Sequence, residues 1–157
     1  MENRDYVEIL DSKNIRPSVQ RVAVYKYFYE NRIHPTAENA YEALKEDYPT
    51  LSMATVYNTV HLLSEKGLLK IIEIEEDKTR YDANTAMHAH FKCNCCGYVY
   101  DLLDTKVLSD FNNAKQSLIP TGFTMEKFHI NFWGTCSECN EKNGTLPAEA
   151  AGAIAID

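Results

Sequence analysis

SMATVYNTVHLLSEKGLLKIIEIEEDKTRYDA, residues 52–83, is the stretch that decides the fold. Ser52 follows the breaker Pro49 and suits an N-cap, since its hydroxyl can accept from an amide of the first helical turn. Met53, Val56, Val60 and Leu63 are spaced 3, 4 and 3 apart, an apolar stripe at helical period. Lys66 complements the negative end of the helix dipole, and Gly67 supplies a residue that can leave the helix left-handed. LLKIIEIE (68–75) and TRYDA (79–83) then read as two short β-runs around the charged turn EEDK (75–78), hence a hairpin.

Upstream of this stretch the chain reads as helices. Pro17 suits the first turn of a helix running to about Glu30, where its missing N–H is not needed. Thr36 can cap the next helix, with Ala40, Leu44 and Tyr48 along one side. Helices followed by a hairpin is the order of a winged helix-turn-helix. Downstream, composition changes near residues 83–86. AHFKCN (89–94) and YVYDLL (98–103) predict strands, 105–119 a helix with Val107, Phe111, Ala114 and Leu118 on one face. FTMEKFHINFW (123–133) predicts a strand leading into the last cysteines. The fold class is therefore α+β: a winged helix over 1–83, an α/β domain over 84–143, and a tail, 144–157, without periodicity and expected to be flexible.

Two units cut from 157 residues have small cores, and such units usually recruit a metal or a partner subunit. No run of about 18 apolar residues exists, so no membrane helix is expected. MENRDYVEIL lacks the basic-then-apolar order of a secretory signal, and the expected location is cytoplasmic. A net charge of −7 argues at first against nucleic acid, because phosphate contacts need Lys and Arg. The distribution matters more than the sum. Between Ser12 and Tyr29 stand Lys13, Arg16, Arg21 and Lys26 with no acid, while Glu73, Glu75, Glu76 and Asp77 gather elsewhere. A small basic face on an acidic body is compatible with a DNA reader.

All five cysteines follow residue 92. Cys93-x2-Cys96 and Cys136-x2-Cys139 each let one tight turn aim two sulfurs at one ion, and two such turns complete a tetrahedral zinc site. Gly97 fits the sharp turn after Cys96. The 39 residues between the pairs mean that the metal would join distant elements. A disulfide or redox pair is the competing reading, disfavoured in a reducing compartment. Four thiolates close the site, so it is structural rather than catalytic. Cys95, beside a ligand, reads as a spectator.

His34, Asp82, His88, His90 and Asp101 form a second candidate set. His88 and His90 are two apart on a predicted strand, so both rings project from one face, and Cys93 has the opposite parity. Nitrogen and oxygen donors suit Fe(II), Mn(II) or Zn rather than a soft ion. On residues alone the bland reading competes: His-x-His pairs arise by chance, and His34 before Pro35 reads as an exposed turn histidine. In the helix starting at Ser52, the residues Ser52, Thr55, Tyr57, Asn58 and Thr59 lie off the apolar stripe. They could reach phosphates and base edges, or simply face solvent. His61 reads as a solvated surface residue.

The motifs RPSVQR (16–21), HPTAENAYEALK (34–45), SMATVYNTVHLLSEKGLL (52–69), RYD (80–82), HAHFKCNCCG (88–97) and CSEC (136–139) together resemble the ferric-uptake-regulator (Fur) superfamily, over about residues 5–142. The resemblance implies a winged-helix DNA-binding domain, a dimerisation domain, a homodimer and a near-palindromic double-stranded operator. It implies structural zinc on Cys93, Cys96, Cys136 and Cys139. It also implies a regulatory Fe(II) or Mn(II) on His34, Asp82, His88, His90 and Asp101. The set is most similar to the peroxide-sensing (PerR) branch, in which iron-catalysed oxidation would fall on His34 or His88. Asp101 stands where iron-uptake regulators carry Glu, and Asn58 where many relatives carry Arg. Met87 and Ala89 replace ligands of a further site, which leaves His129 without its usual companions. Arg16, Arg21 and Lys26 are expected to contact phosphates or the minor groove, and Tyr57 and Asn58 to read bases.

The rival within the superfamily is an iron-, zinc- or manganese-uptake repressor, against which Asp101, Met87 and Ala89 argue. A metallohydrolase or thiol oxidoreductase is the rival from another class. The chain has no HExxH helix or nucleophile elbow, and zinc-locked cysteines would not cycle. The expectation is not an enzyme.

Overall fold

The structure, a computed structural model, describes residues 3–103 and 105–142. The expected flexible tail, 144–157, lies outside them. The chain divides into two compact units between Met87 and His88.

The first unit runs α1 (Asn3–Ser12), α2 (Val19–Glu30), α3 (Ala37–Leu44), α4 (Met53–Glu65), then β1 (Lys70–Ile72) and β2 (Arg80–Asp82). Three of the four helix starts are set by side-chain caps. The Ser18 hydroxyl accepts from the Arg21 amide at 3.2 Å, so α2 begins at Val19 and Pro17 stands before the cap, not inside the first turn as the sequence suggested. Thr36 and Asn39 form a reciprocal capping box, and Ser52 caps α4 through the Thr55 amide. Each such cap contributes on the order of 1 kcal/mol. At the other end of α4, Gly67 has φ +70°. Its amide bonds Ser64 O, and the Leu68 amide reaches back to Leu63 O at 2.9 Å. This closes the helix and turns the chain into the hairpin.

β1 and β2 pair antiparallel, with Ile71 opposite Tyr81. Beneath them lies one core that includes Leu10, Phe28, Val56, Val60, Leu63 and Tyr81. The Tyr81 ring meets Phe28 edge-on, with centroids 5.5 Å apart. Val56, Val60 and Leu63 are fully buried, as their spacing predicted, but Thr59 is buried too. Its hydroxyl donates back to Thr55 O at 2.7 Å, a bond that lets a threonine face inward, so Thr59 leaves the polar face to which the sequence assigned it. The result is a winged helix.

The second unit runs β3 (Ala89–Cys93), β4 (Val99–Leu102), α5 (Thr105–Ala114), a 3-10 turn (Lys115–Leu118), β5 (Asn131–Gly134) and α6 (Ser137–Lys142). Its sheet has the order β4-β3-β5. β4 pairs antiparallel and β5 parallel to the central β3. The strand predicted over 123–133 is shorter than expected. Pairing starts where the His90 amide meets Ile130 O, because β3 begins only at Ala89 and offers no earlier partner. In α5 Leu108 is buried and Val107 is exposed; past Ala114 the helix tightens into the 3-10 turn, where Leu118 is exposed. Among the described residues no helix is long and apolar enough to cross a membrane.

Candidate metal centres

The cysteine pairs meet because β3 and β5 run side by side. Cys93 lies opposite Gly134, so the chain leaving β5 enters Cys136 beside the turn that carries Cys96. That turn is tight: the Gly97 amide bonds Cys93 O at 2.9 Å, and Gly97 takes φ +74°, which glycine adopts without steric cost. Cys139 follows one turn into α6. The four sulfurs lie within 4.8 Å of one another, and Cys96 Sγ is 3.9 Å from Cys136 Sγ. A zinc ion with bonds of about 2.3 Å would hold tetrahedral sulfurs about 3.8 Å apart, so the donor set fits that ion. None of the five cysteines forms a disulfide.

Local donors prepare these sulfurs for a cation. The Cys136 amide donates to Cys93 Sγ at 3.3 Å. This bond, followed by one from the Cys96 amide, brings the Cys93 thiol down to about 6. The Tyr100 hydroxyl hydrogen-bonds Cys136 and pushes that thiol down as well, while contact with Cys136 and burial push Cys139 up. Crowded sulfurs cannot all ionise together, because thiolates repel one another and burial disfavours charge, unless a divalent ion replaces the protons. Tyr100 is a partner that sequence reading missed. Its signal was available: β4 alternation puts it opposite Phe91, on the same side of the sheet as Cys93.

The histidine and aspartate residues fall in two groups, one in each unit. In the second unit His90 stands opposite Asp101 in the β3–β4 register. His88 Nε2 is 3.1 Å and His90 Nε2 3.7 Å from Asp101 Oδ1, and the two rings have centroids 4.5 Å apart. Both histidines are buried and Asp101 is half-buried. Two imidazoles and a carboxylate at these separations fit a first-row ion with bonds of about 2.1 Å, whose adjacent ligand atoms are about 3.0–3.4 Å apart.

In the first unit His34 and Asp82 approach each other because the loop before α3 is stitched to β2. The Tyr81 amide donates to Pro35 O at 3.1 Å. His34 and Asp82 offer ligand atoms within 4.8 Å of each other. His34 is only 2% exposed and has φ +54°. The exposed-turn reading of this histidine is therefore wrong. Asp82 is buried, and its Oδ1 accepts from the Asn84 amide at 2.7 Å.

The residues expected to touch DNA are in the first unit. Ser52, Tyr57 and Asn58 are exposed and Thr55 is half-buried on α4. The Tyr57 hydroxyl donates to the Glu38 carboxylate on α3, a partner not anticipated from sequence. Arg16 is exposed. Arg21 and Lys26 are half-buried on α2, and Arg21 donates to Arg16 O at 2.9 Å.

The ferric uptake regulator family model matches residues 12–133. The peroxide-responsive repressor PerR of Staphylococcus aureus (strain Mu50 / ATCC 700699) is 30% identical over 141 residues, covering 90% of this chain and 93% of that protein. Among solved structures, the Campylobacter jejuni peroxide stress regulator superposes with a TM-score of 0.63 at 26% identity, over 88% of this chain and 100% of that one. The Helicobacter pylori ferric uptake regulator Fur, described as having three functional metal binding sites, shares the fold. Its TM-score is 0.70 at 17% identity, over 89% of this chain and 95% of that one. A model match over most of the length, on a winged helix followed by a four-cysteine sheet domain, means that this chain belongs to the ferric uptake regulator family.

Proposed function

We propose that the chain is a cytoplasmic, homodimeric, metal-dependent transcription repressor that releases its operator when peroxide oxidises a metal-ligand histidine. The observation that carries this reading is the buried cluster of His88, His90 and Asp101. It is a nitrogen–oxygen donor set with Asp at the position that the family resemblance ties to peroxide sensing. Relatives named for a response to peroxide, in Staphylococcus aureus and Campylobacter jejuni, support it.

Zinc on Cys93, Cys96, Cys136 and Cys139 holds the ends of the sheet domain together. His34 and Asp82 of the DNA-reading domain (1–83) and His88, His90 and Asp101 of the dimerisation domain (84–143) are the ligands of Fe(II) or Mn(II). Ferrous iron bound there would activate peroxide for oxidation of the His34 or His88 imidazole, peroxide supplying the added oxygen and leaving as water; manganese would not. An oxidised imidazole would be a poorer ligand, so oxidation would weaken metal binding and with it repression. A shift from mostly released to mostly bound requires the ion to favour one arrangement by about 10⁴-fold. Arg16, Arg21 and Lys26 serve phosphates, and Ser52, Thr55, Tyr57 and Asn58 present the front of α4 to base edges of a near-palindromic site. Exposed Val107, Leu118, Phe132 and Trp133 give the second unit an apolar surface for its partner.

The test is DNA binding. Fragments selected from a random double-stranded library by Mn(II)-loaded protein should be retarded with Mn(II) or Fe(II) and released by chelator. Peroxide should release only the Fe(II) complex. Binding that ignores metal, or no binding of any fragment, contradicts the proposal.

A further inference from the structure

A part-buried ion pair lies behind His34. Arg80 Nε and Nη2 donate to the two carboxylate oxygens of Glu75 at 3.0 and 3.2 Å. Their side chains are only 17% and 6% exposed. The remaining arm of the guanidinium, Nη1, donates to the backbone carbonyl of His34 at 3.1 Å. Arg80 thus uses a planar fork in two directions, which an ammonium group cannot reproduce.

The backbone that it grips is in an uncommon conformation. His34 has φ +54°, in the left-handed region that L side chains with a Cβ rarely enter. Local sequence opposes it further, since a residue before proline favours extended backbone. Nothing within the HisPro dipeptide accounts for this geometry, so longer-range bonds must hold it. The Tyr81 amide bonds Pro35 O and the Arg80 guanidinium bonds His34 O. The second of these bonds is carried by a side chain. A charge pair drawn largely out of water adds little to stability alone, because desolvation offsets much of its attraction. Its value lies in fixing one geometry.

We propose that Arg80, oriented by Glu75, is a positioning residue for the regulatory-metal site. It holds the His34 backbone in the conformation that presents the imidazole, and it ties that ligand to the wing, whose connecting segment carries Glu75. This inference rests on the reading of His34 as a metal ligand.

The test uses full-length, zinc-retaining protein and Mn(II), which leaves the histidines unoxidised. Free Mn(II) is followed by electron paramagnetic resonance for wild type, Arg80→Gln, His34→Ala and the double variant. Arg80→Gln should weaken Mn(II) binding by about 10-fold or more, as loss of a ligand-orienting partner does, with zinc content unchanged. The double variant should bind no more weakly than His34→Ala alone, because Arg80 acts through His34. In metal-free protein, amide exchange should quicken in the peptide carrying residues 31–37 of Arg80→Gln and stay unchanged in β3 and β4. Should Arg80→Gln lower the melting temperature, Glu75→Gln keeps the side-chain shape and is expected to give a smaller loss in the same direction. Wild-type affinity and exchange in both variants, or fully additive losses in the double variant, overturn the proposal. Wild-type protein that takes up no Mn(II) overturns instead the ligand reading of His34, and the exchange measurement still decides whether Arg80 holds the loop.

Discussion

Cys95 and Cys96 are neighbours in the chain, yet only Cys96 joins the four-sulfur cluster. The difference is a matter of turn geometry, and it predicts opposite outcomes for like substitutions. Cys139→Ser should lose the zinc equivalent and unfold the sheet domain, since structural zinc contributes on the order of 10 kcal/mol to small domains. Cys95→Ser should keep one zinc per chain and wild-type stability. Elemental analysis with a thermal melt reads both, and zinc lost from Cys95→Ser would count against the assignment. These ligands were legible in sequence because a Cys-x2-Cys turn is a local instruction. His34 was legible only by resemblance. Its neighbour Pro35 signals an exposed turn, and the groups that bury and orient it, Arg80 and Tyr81, are far along the chain. A backbone carbonyl as acceptor leaves no mark in the sequence at all.

Elements divide along the same line. The caps at Thr36 and Ser52 and the stop at Gly67 were readable because each bond spans five residues or fewer. The misread piece depends on a partner elsewhere: residues 123–129 precede the point where pairing with β3 begins. Packing of α1 on α2 carries a pH prediction. Tyr6 is buried and donates to Glu30 at 3.0 Å. Burial first, then the Glu30 carboxylate, pushes its ionisation up to about 12. In the unfolded chain a tyrosine ionises near pH 10. The neutral phenol therefore contributes fully below pH 10, and the contribution is lost as pH rises through about 12. Wild-type melting temperature should fall more steeply between pH 10 and 12 than that of Tyr6→Phe, which starts lower because a hydrogen bond is gone. Parallel curves would contradict the assignment.

At the scale of the whole molecule, a net charge of −7 would alone have pointed away from DNA. The winged helix and its basic segment reverse that inference, since phosphates respond to the local face and not to the sum. Family membership and two donor sets of different softness then divide the labour: sulfur for a permanent ion, nitrogen and oxygen for an exchangeable one. Sensing is the central claim, and it is a statement about which atoms are altered. Fe(II)-loaded and Mn(II)-loaded protein, treated with equal peroxide and digested, would be compared by mass for the peptides holding His34 and His88. One added oxygen on either histidine in the iron sample alone is the predicted result. Unmodified histidines in the iron sample, with the operator still held, would contradict it and leave a metal-uptake repressor.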